Sequence, residues 1–335
     1  MSSYRWGIIA PGNIANRFAE ALQGNADAEC YAVAGRSLER TKAFADRHGF
    51  QHSYVGIDDL MADPNVDVIY IASPHSAHME QSIACLRGGK PTLCEKPMTI
   101  NAQQASAVTR IAAEHNTFYM EAMWTRCLPI YDVVRDWLEQ ERIGDIKLVQ
   151  ATFGFQRDFE PTHRLYDPEL AGGALLDMGI YPITFSHWVY QQDPESISAL
   201  GHIGESGVDE QLAIALKYPN GRLAQLGSAI TANTNHDGWI YGSRGKIKLH
   251  APFWGSEAAT LYEDIDAAEG IQKSPETITR NHTINGFEGE IAEVHRCLDL
   301  GLLESPRVNW QTSLSIMMIM DEIRQQLGLR YPMES

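Results

Sequence analysis

Short, almost uncharged runs alternate with amphipathic stretches through the first part of the chain. Trp6-Gly7-Ile8-Ile9-Ala10, Cys30-Tyr31-Ala32-Val33-Ala34, the run from Val66 to Ala72 and Pro91-Thr92-Leu93-Cys94 are near-continuous apolar segments, the signature of strands buried on both faces of a sheet. The stretches between them repeat apolar positions at helical spacing and predict helices from beyond Gly12 through Leu22 and over 38–48, 57–62, 78–88 and 101–115. Such alternation of strand and helix predicts a parallel sheet covered by helices. After a helix at 129–141 the texture changes. Period-two strands are expected at 146–155, 196–203, 209–217, 222–231 and 238–249, several joined by tight turns such as Pro219-Asn220-Gly221 and Ser243-Arg244-Gly245. Helices at 173–191, 287–302 and 309–327 would cover one face of a largely antiparallel sheet and leave the other open. The boundary falls between residues 1–125 and 126–335, and the acidic stretch 263–269 reads as a solvated loop.

Chemistry enters at the strand ends. The first strand stops at Pro11-Gly12, and a helix then opens with Asn13 and Ile14. A glycine before a helix N-terminus lets backbone N–H groups approach a pyrophosphate, so residues 1–125 are read as a Rossmann dinucleotide-binding domain. The fingerprint is degenerate, with Ala10 and Ala15 at its first and third glycine places. About twenty residues on, where an acidic side chain would bind the ribose of NAD, stand Arg36 and Ser37, with Arg40 one helical turn further. That set suits a 2′-phosphate and favours NADP, with NAD as the alternative. The third strand ends at Ser73-Pro74-His75-Ser76-Ala77-His78. Its two histidines lack a third ligand at metal-binding spacing, so no metal is expected; Ser73 and Pro74 line the cofactor floor. The fourth strand delivers Glu95 and Lys96 at the point where Pro97 forbids further pairing, in the crevice where such sheets bind ligands.

Composition narrows the partners. A net charge of −16 over 335 residues repels phosphate backbones and anionic lipid, and no local basic patch offsets it. Neither a signal peptide nor a membrane span is apparent. Five cysteines, odd in number and without a CxxC pair, read as reduced thiols of a cytoplasmic protein.

The succession Ala10-x-Gly12-x-x-Ala15, Ser73-Pro74-x-x-x-His78 and Gly89-Lys90-Pro91-x-Leu93-Cys94-Glu95-Lys96-Pro97 resembles the Gfo/Idh/MocA family of oxidoreductases over most of the chain. The resemblance implies that Lys96 reaches nicotinamide and substrate, that the Lys96–Pro97 peptide is cis, and that His78, Glu95 and Glu121 belong to the cofactor site. It implies too that Trp124 stacks on cofactor or substrate and that Arg126 orients one of them. Gly172-Gly173-x-x-x-Asp177-x-Gly179 followed by Tyr181 is similar to the family's second signature. Tyrosine replaces the commoner histidine, as in the dihydrodiol and xylose dehydrogenases of the family. Four-residue spacing puts Asp177 and Tyr181 on one helical face. A phenol near pKa 10 can take a hydroxyl proton only with help from a cation, here Lys96, while Asp177 would hold a substrate hydroxyl or the lysine. Phe155, Phe159 and Trp254 are candidate pocket aromatics, and Arg157 and His163 candidate partners of substrate hydroxyls. The expectation is therefore an NADP-preferring dehydrogenase of a small cyclic polyol, an aldose at its anomeric carbon or a trans-dihydrodiol. It would be a homodimer joined through the open sheet face. The other readings are a non-catalytic dinucleotide sensor on the same fold and an imine or tetrapyrrole reductase.

Overall fold

The computed structural model describes residues 3–266 and 271–334. Its contacts divide the chain into two compact units, Met1–Cys127 with His282–Leu314, and Leu128–Asn281 with Ser315–Ser335. The chain thus crosses between units more than once. The helix Glu288–Asp299 folds with the first unit, where the pattern of apolar positions had suggested a cover for the second sheet.

The first unit is a six-stranded sheet in the order β3-β2-β1-β4-β5-β6, with β1 Tyr4–Ile9, β2 Ala28–Gly35, β3 His52–Val55, β4 Val68–Ile71, β5 Thr92–Glu95 and β6 Tyr119–Ala122. Every pairing is parallel. The order reverses between β1 and β4, which makes the carboxyl ends of those strands the crevice of the sheet. Helices Asn13–Gln23, Leu38–His48, His78–Arg87 and Ala102–Glu114 connect the strands, close to their expected spans. Large rings fill the core: Phe18 stacks on Tyr70 at 3.7 Å and meets Trp6 edge-on at 5.3 Å. The outer edge of β6 is closed by later chain. Tyr119 N–H donates to Leu303 O at 3.0 Å, and Trp310 Nε1 donates to Tyr119 O at 2.9 Å.

The second unit is a nine-stranded sheet built on β7 Ile146–Gly154, β8 Ser196–Ile203, β9 Asp209–Tyr218, β10 Arg222–Ala229, β11 Gly238–Gly242, β12 Gly245–Leu249, β13 Ala258–Asp266, β14 Ile271–Gln272 and β15 Glu276–Thr279. Its order is β14-β13-β12-β11-β7-β10-β9-β8, with β15 on β13. All pairings are antiparallel except β7 with β10. The stretch expected as one strand over 238–249 is a hairpin, β11 and β12. Part of the acidic stretch is not a loop either: Glu263 lies in β13 and receives both arms of Arg142 at 2.7 and 2.9 Å, so its carboxylate is paired rather than solvated. Residues 267–269 of that stretch lie outside the described residues. The helix Ile180–Tyr190 is buried on every side, as an all-round apolar helix must be. On the opposite face of the sheet Leu148, Leu223, Trp239, Tyr241 and Tyr262 are exposed or half-buried.

Candidate active site

In the first unit the chain leaves β1 through Ala10, held at φ 68, and enters the helix at Gly12. A Cβ on Gly12 would meet only Ala10 O, at 3.9 Å, so the space above the glycine is open. No side chain caps the helix start among the described residues, which leaves the first-turn amides directed outward. At the end of β2 the Ser37 hydroxyl accepts the Arg40 N–H at 3.4 Å, a weak helix cap, while the side chains of Arg36 and Arg40 are exposed. Uncapped amides, open space at a glycine and two exposed guanidinium groups fit a dinucleotide carrying a 2′-phosphate.

β5 positions the lysine. Through Thr92–Ile100, Lys96 is the one residue that is not buried, and the Lys96–Pro97 peptide is cis. Its flanks are held from beneath. Glu95 accepts the Tyr70 hydroxyl on one oxygen and the Lys96 N–H at 3.1 Å on the other. Burial pushes this carboxyl upward, opposed by the Lys96 charge. His78 is wholly buried between two carbonyls, Pro97 O at 2.7 Å and Ser73 O at 2.9 Å, and burial lowers its pKa. The neutral ring can donate to only one of them. Glu121 accepts Met98 N–H at 2.8 Å and the Ser313 hydroxyl at 2.5 Å, and burial raises its pKa. The structure brings His78, Glu95 and Glu121, the residues expected at the cofactor site, to the backbone around Lys96. Their polar atoms are committed to protein groups, and what they fix is the backbone on either side of Lys96. Ser73 donates its hydroxyl to Gln81 at 2.8 Å. Trp124 is 8% exposed, with one ring face stacked on Phe287 at 5.1 Å and Gly286 so close that a Cβ there would lie 2.5 Å from the ring. Only the rest of its surface is available to a ligand. Arg126 is half-buried two residues on.

In the second unit Gly172 and Gly173 are wedged against earlier chain. A Cβ on Gly172 would sit 2.6 Å from Arg164 O and 2.7 Å from Leu165 O, and Gly173 holds φ +108, a conformation that glycine adopts cheaply. The approach brings Arg164 to Asp177 as a fork, Nη1 to Oδ1 at 3.2 Å and Nη2 to Oδ2 at 3.0 Å. Asp177 is 8% exposed. It lies in a π-helical turn, Leu175–Gly179, that precedes the helix Ile180–Tyr190; the expected uniform α-helix over 173–191 starts with this wider turn, a form common at functional sites. Tyr181, 7% exposed, has Phe153 at 5.5 Å and Trp254 at 6.1 Å, themselves stacked at 3.5 Å. His236 packs edge-on to both.

The sequence-predicted aromatics divide. Trp254 and the half-buried Phe155, 6.3 Å from Phe153, belong to this cluster. Phe159 does not. It packs on Tyr166 at 5.1 Å and is 47% exposed. Arg157 is exposed beside it, its N–H on Ile230 O and its carbonyl on the Tyr166 hydroxyl. His163 accepts Leu165 N–H at 3.2 Å, and burial together with Arg157 and Arg164 lowers its pKa. Sequence reasoning missed Arg164, Phe153 and His236. Phe153 was findable, since period-two alternation places it on the same face as Phe155; Arg164 stands among other polar loop residues with no spacing to distinguish it. Among the described residues no group of three metal-ligating side chains gathers, and no helix is long and apolar enough to cross a membrane.

Comparison with known proteins agrees with both halves of this geometry. Residues 4–123 match the model of an oxidoreductase family with an NAD-binding Rossmann fold, and residues 131–248 match the GFO/IDH/MocA C-terminal domain. The trans-1,2-dihydrobenzene-1,2-diol dehydrogenases of Xenopus tropicalis and Homo sapiens are 37% and 33% identical to the chain, covering 98% of it and 99% and 98% of their own lengths. Among solved structures, a 3-ketoreductase from Actinomadura kijaniata in complex with NADP and TDP-benzene is 26% identical with a TM-score of 0.84, covering 97% of this chain and 98% of that one.

Proposed function

We propose, from the premise that this chain belongs to the Gfo/Idh/MocA family of oxidoreductases, that it oxidises a trans-dihydrodiol or a cyclic sugar with a preference for NADP. The chain is an NAD(P)-dependent oxidoreductase acting on CH–OH groups; substrate, cofactor preference and the division of labour among side chains are our reading. The observation that carries it is the pairing of a full-length match to dihydrodiol dehydrogenases with a buried tyrosine set among aromatic rings.

When bound, the nicotinamide exchanges a hydride with the substrate carbon. The amides at Asn13 and Ile14 hold the pyrophosphate, and Arg36, Ser37 and Arg40 hold the 2′-phosphate. Ser73, Pro74, Trp124 and Arg126 line the cofactor. Tyr181 takes the hydroxyl proton, with the Lys96 charge favouring its phenolate. Asp177, fixed by Arg164, accepts a substrate hydroxyl, while Phe155 and Trp254 offer apolar faces to a ring. Arg157 and His163 bind further hydroxyls. The exposed face of the second sheet, with Leu148, Leu223 and Tyr241 in one cross-strand row between Lys217 and Lys246, is the surface that joins two copies into a homodimer. Unbridged thiols at all five cysteines suit a cytoplasmic setting. A panel of trans-dihydrodiols, aldoses and polyols at saturating NADP, read as NADPH appearance, tests the assignment. Turnover confined to other substrate classes would overturn it.

A further inference from the structure

Asp209 opens β9 and is wholly buried. Its Oδ2 accepts the Leu175 N–H at 2.6 Å, and its carboxylate also receives the Ala174 amide. These are the amides that begin the π-helical turn of Asp177. Its Oδ1 has no hydrogen-bond partner among the described residues and faces Gly173, where any Cβ would collide with it. Asp209 thus explains the second glycine of the pair, which leaves room for a carboxylate rather than for a ligand. The charged and titratable groups facing it are Arg324, from the helix Trp310–Leu327, and Tyr331. Arg324 is itself engaged by Glu334 at 2.7 Å and Asp321 at 2.8 Å, and the Tyr331 hydroxyl donates to Gly172 O at 2.8 Å.

We propose that Asp209 is a positioning residue for turnover, whose carboxylate fixes the start of the turn that carries Asp177 and leads to Tyr181. The inference rests on the reading of those two residues as substrate-facing groups. Burial pushes the Asp209 carboxyl up to about 7, against the amides and Arg324, which pull it down. The ionised carboxylate accepts the amides with charge assistance, and the neutral acid holds them more weakly. The hold therefore tightens as pH rises through about 7. Stability runs the other way: a carboxyl raised in the folded state binds protons that the unfolded chain has released, so its contribution to stability declines from about pH 4 to about pH 7 and is level above.

Three variants of the full chain test the inference. Asp209→Ala removes the acceptor, and the expected result is a 10- to 100-fold lower kcat with NADP affinity within two-fold, together with faster hydrogen exchange at the Leu175 amide. Asp209→Asn keeps an acceptor of the same shape that cannot ionise. It should recover slow exchange and most of the turnover at pH 6, and lack the rise in kcat around pH 7 that is expected of the native enzyme. A native-like pH profile in Asp209→Asn, or unchanged exchange at Leu175 in Asp209→Ala, would overturn the inference; should the alanine variant fail to fold, the asparagine profile decides. Tyr181→Phe separates the two readings, because its turnover tests the phenol while its Leu175 exchange, expected to stay slow, tests the hold alone.

Discussion

Replacing Arg36 by Ala isolates the contact that we assign to the 2′-phosphate. The Arg36 side chain is exposed at the end of β2 and makes no hydrogen bond or ion pair within the described protein, so its removal takes no internal bond away. Surface changes of this kind leave stability within about 0.5 kcal/mol, and Tm should move by no more than about 2 °C. The ligand bears the whole effect. A hydrogen bond to a charged group is worth roughly 1.5–3 kcal/mol, which solvent screening at an exposed site reduces to about 1–2 kcal/mol. That predicts about 5- to 30-fold weaker NADP binding, with NAD unchanged because it lacks the phosphate. Fluorescence titration of both cofactors measures the two constants. Because the contact is screened, raising salt from about 0.05 to about 0.5 M should shrink the native preference for NADP, and shrink it less in the variant, which keeps only the Arg40 charge. Loss of NAD affinity by the same factor, or a preference insensitive to salt, would refute the assignment and return Arg36 to a solvated helix start.

Tyr181→Phe should lower turnover by about 10²- to 10⁴-fold with NADP affinity intact, and the double variant with Lys96→Met should be little worse than the worse single one, because groups that act together are not additive; additive losses in steady-state kinetics would separate their roles. Arg164→Leu removes the fork from an Asp177 carboxylate that is nine-tenths buried, and should cost about 1–3 kcal/mol in thermal unfolding and raise KM for substrate; unchanged Tm and KM would make the fork an idle surface pair. Sedimentation should give a dimer at micromolar concentration, whereas a monomer throughout that range would mean that the exposed sheet face tolerates water.

Four strands of the first unit, β1, β2, β4 and β5, were legible as apolar runs that end at chemically distinctive residues, Gly12, Arg36, Ser73 and Lys96; the edge strand β3, exposed or half-buried along its length, carries no such run and was not read as a strand. What those strand ends could not disclose was which polar side chains face inward. His78 and Glu121 look like site residues in sequence, and the backbone that they hold beside Lys96 lies 19 and 23 positions away. The π-helical turn was hidden because π and α turns share the same composition, and the carboxylate that accepts its first amide, Asp209, lies 34 positions beyond Leu175. Arg164 was hidden for the opposite reason: the fork depends on Gly172 letting the backbone of Arg164 and Leu165 close in, and a glycine does not name the neighbour that it admits.

The closure of β6 by later chain has a consequence for how the protein is made. Tyr119 and Glu121 take their partners, Trp310 and Ser313, from 191 and 192 positions downstream. Synthesis at roughly 5–20 residues per second leaves that edge open for about 10–40 s, while Leu128–Asn281 of the second unit is being made. Until then the last strand offers bare N–H and C=O groups and a buried carboxylate without its hydroxyl partner, the conditions under which strands pair with the wrong chain. A fragment ending near residue 127 would keep all six strands, the dinucleotide turn and the lysine and still lack the chain that covers the β6 edge, so the compact cofactor unit is not a contiguous piece of the sequence.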